Sequence, residues 1–445
     1  MPNDYSSKRA IVYDYGVFLP IAESLAKWFG RVDYFMPWRT QFSHSNQLLV
    51  GSGIEGINRV EDFWATLAKA DKADTLLVFP DSADGGLQTY LRDEGWRVWG
   101  CGNAERMEHD RVALKKIMAK LDMPVNEWRE IKGLDNLRAW LEDPANEGWY
   151  VKVPGSRRGD VETWRNKGWP VIQGKFFDMA ARLDFDRESY PFMVEAAVDD
   201  ASEIGYDGFG VDGEWPRVAM WGPEIKDSAY LGAVMPYAKM PKQLRYANEA
   251  LSESFRKMGL RGWYSNEVRV AKDGTPYATD LTLRAGSPPS EVYMDLYGNW
   301  ADVMWHVADG ETVDPEPVAA YGIVAMLVSP WAEGHSISVE IPKDAAPWVK
   351  LKNSCVREDG TRWVIWQEDG LKEIGAVVGI GDTVIEAAKA CAEHAEGIEA
   401  TDLEIKLDAL PDAVKELRKG QDRHGWAFGD QALPTEDEVR EAIAE

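Results

Sequence analysis

Short apolar runs alternate with stretches of helical periodicity through the first hundred residues, and this pattern is the strongest constraint on the fold. RAIVYDYG, RVDYFMPW and ADTLLVFPD read as strands running into Asp, Gly or Pro, while IAESLAKWF and GGLQTYLRDEGWRVWG carry apolar residues at helical spacing. A chain that alternates in this way covers a parallel sheet with crossover helices. An open α/β domain is therefore expected over residues 1–108.

The pattern then changes. DRVALKKIMAKLDMPV is an amphipathic helix stopped by Pro124, and a second helix, GLDNLRAWLED, leads into the strand GWYVKVP. From Trp149 to Gly310 strand signals dominate in PFMVEAAV, EIGYDGFGV, RVAMWGPEI and NEVRVAKDGTPYATDLTL. The turn Lys272-Asp273-Gly274-Thr275 marks a hairpin. An antiparallel sheet with helices on it is expected over 109–315, a small α+β domain over 316–430, and an acidic helix or tail over 431–445. In the penultimate part, GIGDTVIEAAKACAEHA reads as a helix start with Asp382 as its cap.

Composition narrows the function classes. The 445 residues are 45% hydrophobic and 28% charged, with no apolar run long enough to span a bilayer. The opening residues show no basic region followed by a long apolar segment, so a cytoplasmic location is expected. A net charge of −25 repels a phosphate backbone and disfavours nucleic acid as the partner. A small anionic substrate stays admissible, because a few lysines, arginines and magnesium ions reverse the field inside a cleft. Cys101, Cys355 and Cys391 are scattered, and the histidines lack paired ligand spacing, so disulfide, zinc and hydrolase-triad chemistries are not indicated.

Glu267 lies on the first strand of the hairpin and Asp280 on the second, with Thr282 on the same side as Asp280. On spacing alone the two carboxylates are either ordinary solvated charges, the commoner case, or a pair that a hard cation such as magnesium bridges. Lys115 and Lys152 are likewise either surface lysines or point charges for phosphates.

Taken in order, TDLTLRAGSPPSE, the helix DRVALKKIMAKLDMPV, WYVKVPG and MVEAAVDDASEIGYDGFGV resemble the ATP-grasp superfamily. The resemblance implies an ATP-grasp fold with a preceding α/β domain and a small C-terminal α+β domain. It implies ATP and magnesium as cofactors. Lys115 and Lys152 stand at the family's phosphate lysines, and Glu195 to Val198 at the hinge that meets the adenine edge. Glu203 stands at the ribose acid, and Glu267, Asp280 and Thr282 at the metal ligands. The segment GSRRGDVETW, with Arg157 and Arg158, stands at the phosphate lid. Thr282 replaces an asparagine, so one magnesium is expected and a second is open.

The implied reaction is ATP-dependent joining of a carboxylate to an amine through an acyl phosphate, with Arg284 and Lys226 near the reacting groups. The implied partners are a small-molecule acid, such as an amino acid, and a small-molecule or modified-nucleotide amine. AVVGIGDTVIEAA also resembles the glycinamide ribonucleotide synthetase branch, which makes that activity in purine synthesis one alternative. The stretch YDYGVFLPIAES departs from that branch, having one glycine where the branch is glycine-rich. A catalytically degenerate ATP-binding protein is the other alternative.

Overall fold

The computed structural model describes residues 3–37, 48–153, 163–183, 187–367 and 370–444. The first sheet is parallel, in the order Ile57–Val60, Arg31–Phe35, Arg9–Tyr13, Thr75–Val78, Arg97–Trp99. Chain order reverses beside Arg9–Tyr13, so residues 14–18 and 79–84 border a crevice at the carboxyl edge, where open α/β sheets bind ligands. Buried Asp14 fixes the first of these loops by accepting from the Phe18 amide at 3.2 Å and the Tyr34 hydroxyl at 2.9 Å.

A small antiparallel sheet follows, ordered Trp128–Lys132, Pro191–Glu195, Tyr150–Lys152, Thr163–Arg165. Its core is Val151, Trp164, Phe192 and Val194 packed on Leu137 and Leu141 of helix Leu134–Leu141 and on Ile172 and Phe176 of helix Trp169–Leu183.

The third sheet is the frame of the molecule. Among the described residues its main path runs Pro276–Thr282, Arg261–Val270, Ser202–Val211, Val218–Gly222, Ala229–Pro236, Tyr321–Val328, Glu373–Gly381, Val349–Leu351. Hydrogen-bonded pairing continues from Ala229–Pro236 to Tyr321–Val328, across residue 316, without a break. The strands that follow the hairpin region therefore extend the same sheet.

Alternation assigns the two faces. Ile204, Tyr206, Trp221, Leu231, Tyr264 and Val268 pack under helices Lys242–Met258, Val384–Ala395 and Leu410–His424. The opposite face buries Phe209, Met220, Tyr230, Trp263 and Val324 against helices Pro289–Leu296 and Trp300–Ala308 and against Ala10, Val12 and Leu76 of the first sheet. Where these layers meet, Trp99 lies 4.9 Å from Trp263 and 5.7 Å from Trp300. Several of the tryptophans thus serve to dock the first sheet on the third. No described helix is long and apolar enough to cross a membrane.

One capping assignment is corrected. Helix Val384–Ala395 begins at Thr383, not at Asp382: Thr383 has extended backbone angles and its hydroxyl accepts from the Glu386 amide at 3.0 Å. Glu386 reaches back to the amides of Thr383 at 3.1 Å and Asp382 at 3.0 Å, completing a capping box. The Asp382 amide is a donor in this arrangement, and the hydroxyl one residue later is the acceptor. Thr383→Ala is expected to lower unfolding free energy by about 1 kcal/mol in urea titrations, whereas Asp382→Ala should change it by less than about 0.5 kcal/mol.

Candidate active site

Helix Arg111–Lys120 starts where the Asp110 carboxylate accepts the Ala113 amide at 2.8 Å. Arg111 and Lys115, one turn apart, consequently share a face, and both are buried. Lys115 Nζ lies 2.8 Å from Glu195 Oε2 and donates to Asn126 Oδ1 at 2.6 Å. Lys152, at the end of its strand, places Nζ 2.9 Å from Glu195 Oε1 and donates to the Thr279 carbonyl at 2.6 Å.

Glu195 therefore sits between two buried ammoniums. Burial alone raises a carboxyl pKa, but Lys152 and Lys115 override it and hold Glu195 at about 2. The lysines diverge. Burial draws Lys115 below the usual lysine range against the pull of Glu195, whereas in Lys152 the charges of Glu195 and Asp280 outweigh burial and raise it.

The hairpin supplies the carboxylates on the other side. Gly274, at φ +88°, makes the turn, with the Gly274 amide on the Ala271 carbonyl at 2.8 Å. Val268 pairs with Ala278, but a bulge then sets Glu267 opposite Asp280 and leaves Thr279 extra. The Thr279 hydroxyl donates to Glu267 Oε1 at 2.5 Å. Asp280 lies 3.5 Å from Arg111 Nη2; burial would raise its pKa, and Arg111 and Lys152 bring it below the usual range instead. Thr282 pairs with Ser265. Beyond it, Glu108 accepts from the Leu283 amide at 2.7 Å and from Arg284 Nε at 2.9 Å, fixing the arginine at the cleft border.

Glu203 and Glu267 are joined by Arg269, whose guanidinium lies 2.6 Å from the first and 3.1 Å from the second. Burial, then repulsion from Glu267, pushes Glu203 up to about 8. Lys226 is exposed on the loop after Glu224–Ile225 and makes no ion pair among the described residues; its charge acts on Glu203. At the hinge, the Ala196 amide donates to Glu127 O at 2.8 Å and its carbonyl accepts from Asn126 Nδ2 at 2.6 Å. Val198 makes no main-chain hydrogen bond among the described residues. Arg157 and Arg158 lie outside the described residues.

The structure thus brings Lys115, Lys152, Glu195 and Asp280 into one network, with Glu267 beside it and Glu203 tied in through Arg269. Arg284, Lys226 and Val198 stand around it. Arg111, Asn126, Glu108 and Arg269 were not singled out from the sequence. Arg111 carries a sequence signal, standing one helical turn before Lys115. Arg269 carries one too, on the same strand face as Glu267. Asn126 and Glu108 act through tertiary contacts that no local pattern reveals.

The donor set fits magnesium. Two hard carboxylates stand as cross-strand partners, and no cluster of three possible ligands occurs among the described residues. Magnesium takes one or two protein carboxylates and completes its shell from phosphate and water.

No family model matches the chain, and no curated protein matches it. Solved structures do match. Phosphoribosylamine–glycine ligase from Thermotoga maritima superposes with a TM-score of 0.66 at 16% identity, over 90% of this chain and 99% of the ligase. The biotin carboxylase domain of Hydrogenobacter thermophilus 2-oxoglutarate carboxylase, solved with MgADP, ADP and bicarbonate, gives 0.62 at 11% identity, over 98% and 97%. N5-carboxyaminoimidazole synthetase from Staphylococcus aureus gives 0.55 at 11% identity, over 88% and 98%. The sheets and these likenesses lead to one conclusion about architecture: the chain has the ATP-grasp fold.

Proposed function

We infer that the chain is an ATP-dependent ligase that activates a carboxylate as an acyl phosphate and joins it to an amine. The observation that carries this reading is the hydrogen bond from Lys152 to the Thr279 carbonyl, at 2.6 Å. It sets an ammonium from the small sheet against the strand bearing Asp280, so phosphate-binding cations and metal-binding carboxylates face one cleft. Two structural neighbours, the Hydrogenobacter thermophilus biotin carboxylase domain and N5-carboxyaminoimidazole synthetase from Staphylococcus aureus, were solved with ADP, which is consistent with that use of the cleft.

Each residue has a role that follows from its contacts. An ammonium has three N–H donors. In Lys115 and Lys152 two are engaged, which leaves one apiece for a phosphate oxygen. Glu195 cancels one of the two positive charges, so the pair keeps net positive charge without the full repulsion of two bare ammoniums. The Glu195 to Val198 hinge would meet the adenine edge, and Glu203 would take the ribose hydroxyls. Arg157 and Arg158 would close over the phosphates. Magnesium held by Glu267 and Asp280, with Thr282 beside them, would supply charge neutralisation on the triphosphate. Arg284, oriented by Glu108, suits a substrate carboxylate, and Lys226 stands at the outer rim for a second anionic contact. Catalysis of this kind rests on positioning and on fixed charge.

The acid is proposed to be an amino acid, and the acceptor a small-molecule or modified-nucleotide amine. Phosphoribosylamine is disfavoured, because Asp14, Asp81 and Asp84 border the crevice and Tyr15 donates to Asp84 at 2.7 Å, an acidic setting for a phosphate. One observation favours loss of turnover as a second reading: Arg269 engages both Glu203 and Glu267 in this arrangement.

ADP release with magnesium, measured across a panel of carboxylates and amines, decides between the two. Turnover supports the ligase, and nucleotide binding without turnover supports the second reading. Asp280→Asn is expected to lower the rate on the order of a hundredfold or more with an unchanged circular dichroism spectrum; normal turnover would remove Asp280 from the metal site. Glu195→Gln leaves two buried ammoniums facing each other and should lower unfolding free energy by about 3–5 kcal/mol. The pH dependence has a definite sign. Glu195 is depressed from 4.5 to about 2 on folding, so its stabilisation is present above pH 4.5 and is lost as pH falls toward 2. Urea titrations between those values should show that decline in the wild type and a shallower one in Glu195→Gln.

A further inference from the structure

Two basic side chains of helix Leu410–His424 reach the loop that leads out of the hinge, and none of the roles above uses them. Lys419 Nζ donates to the Ala201 carbonyl at 2.9 Å. Arg423 donates through Nη1 to the Asp200 carbonyl at 2.6 Å and through Nη2 to both Asp200 carboxylate oxygens, at 2.9 and 3.0 Å. Glu416, Lys419 and Arg423 follow one another at helical spacing and share a face, while Ala413, Val414, Leu417 and Gly420 are buried on the other side. The helix is firmly seated, since a methyl group added at Gly420 would meet the Trp426 ring at 2.2 Å. Glu203 stands two residues beyond Ala201, at the start of strand Ser202–Val211.

Exposed ion pairs add little to stability, but these contacts fix geometry. Asp200 has φ +48°, a left-handed conformation uncommon outside glycine. One guanidinium holds both its carboxylate and its carbonyl, which sets side chain and main chain of the turn together. The Asp200 carboxyl lies below the usual aspartate range, first through its hydrogen bonds and charge contact with Arg423, then through the charges of Lys419 and Lys272. Lys272 belongs to the hairpin turn, so hinge loop, helix and hairpin meet at this residue. Glu416 acts one step further on: burial and Glu267 raise Glu203 most, and the charge of Glu416 adds to them. At its other end the hinge is anchored where Ala196 bonds Glu127 and Asn126. The two anchors bracket residues 197–199.

We propose that Lys419 and Arg423 are positioning residues for the nucleotide, holding the carbonyls of Ala201 and Asp200 so that the hinge and Glu203 are set before a nucleoside arrives. This rests on the ligase reading for the nucleotide itself. Arg423, Lys419 and Glu416 address Asp200, Ala201 and Glu203 in turn, so the helix runs alongside the exit of the hinge in the opposite direction. A loop ordered in advance does not have to be ordered by the ligand, and affinity is higher for it. Lobe movement is confined to residues 197–199, between this anchor and the one at Ala196. The phosphates fall to Lys115, Lys152 and magnesium in the same reading, so the helix bears on the nucleoside half of the ligand.

The full chain is titrated in a calorimeter with MgADP and, separately, with magnesium tripolyphosphate, which offers the phosphates without the nucleoside. Arg423→Ala and Lys419→Met, made separately, are each expected to weaken MgADP binding about threefold to fivefold and to leave tripolyphosphate binding within about twofold of wild type. Both side chains are partly exposed, so the Tm of the ligand-free variants should stay within about 2 °C of wild type. Arg423→Lys, which can still donate to the Asp200 carbonyl, should bind MgADP more tightly than Arg423→Ala. Unchanged MgADP affinity in both variants, or equal losses for the two titrants, overturns the assignment and leaves the ligase reading standing. A wild-type chain that binds no MgADP overturns the ligase reading, and the positioning role falls with it.

Discussion

The cleft depends on a carboxylate held between two buried ammoniums. Removing Lys115, Lys152 and Glu195 from water is expensive, and mutual attraction offsets it only with additional hydrogen-bond partners. Asn126 and the Thr279 carbonyl supply those partners. The arrangement draws on four separate elements: the helix bearing Lys115, the strand bearing Lys152, the hinge and the hairpin. Asn126 extends it to the hinge carbonyl of Ala196. Disturbing any one of these contacts moves a charge in a dry site. Asp280 adds a second carboxylate to the network, and its charge acts on both lysines.

The hairpin answers this with the opposite sign. A regular register would have set Thr279 opposite Glu267. The bulge turns Asp280 onto that position and leaves Thr279 free to bond Glu267 through its hydroxyl. Carboxylates at such density repel, and Arg111 and Arg269 are interleaved among them. The guanidiniums hold the acidic face together, Arg269 on Glu267 and Arg111 on Asp280. Magnesium held by these two carboxylates would have to share them with the two arginines.

Much of this was legible in the sequence, for identifiable reasons. Period-two alternation and the KDGT turn located the hairpin, and helical spacing located the helix of Lys115. Strand periodicity put Asp280 and Thr282 on one side. What local pattern could not give was the third dimension. Glu195 was singled out for its main chain, yet its side chain is what joins the lysines. Glu108 and Asn126 earn their places from residues far off in sequence. The Asp382 cap was misplaced by one residue because Asp and Thr are both good caps, and only backbone angles distinguish them. The bulge is the same kind of problem: one inserted residue reverses the facing of a strand and leaves no mark in composition.

The first sheet and the hairpin are fixed to each other by direct contacts. Trp99, Trp263 and Trp300 lock the two sheets together by aromatic packing, and the Ala285 amide donates to the Pro80 carbonyl at 2.8 Å. The crevice loop after Thr75–Val78 is thereby fixed directly to the end of the strand that carries Asp280 and Thr282. The crevice loops are built in as firmly as the buried ions, since Asp14, Val17, Phe18, Phe79, Asp81 and Ser82 are themselves buried. The spacing between crevice and hairpin is therefore set by close packing, and a change of side chain on either loop is felt across it.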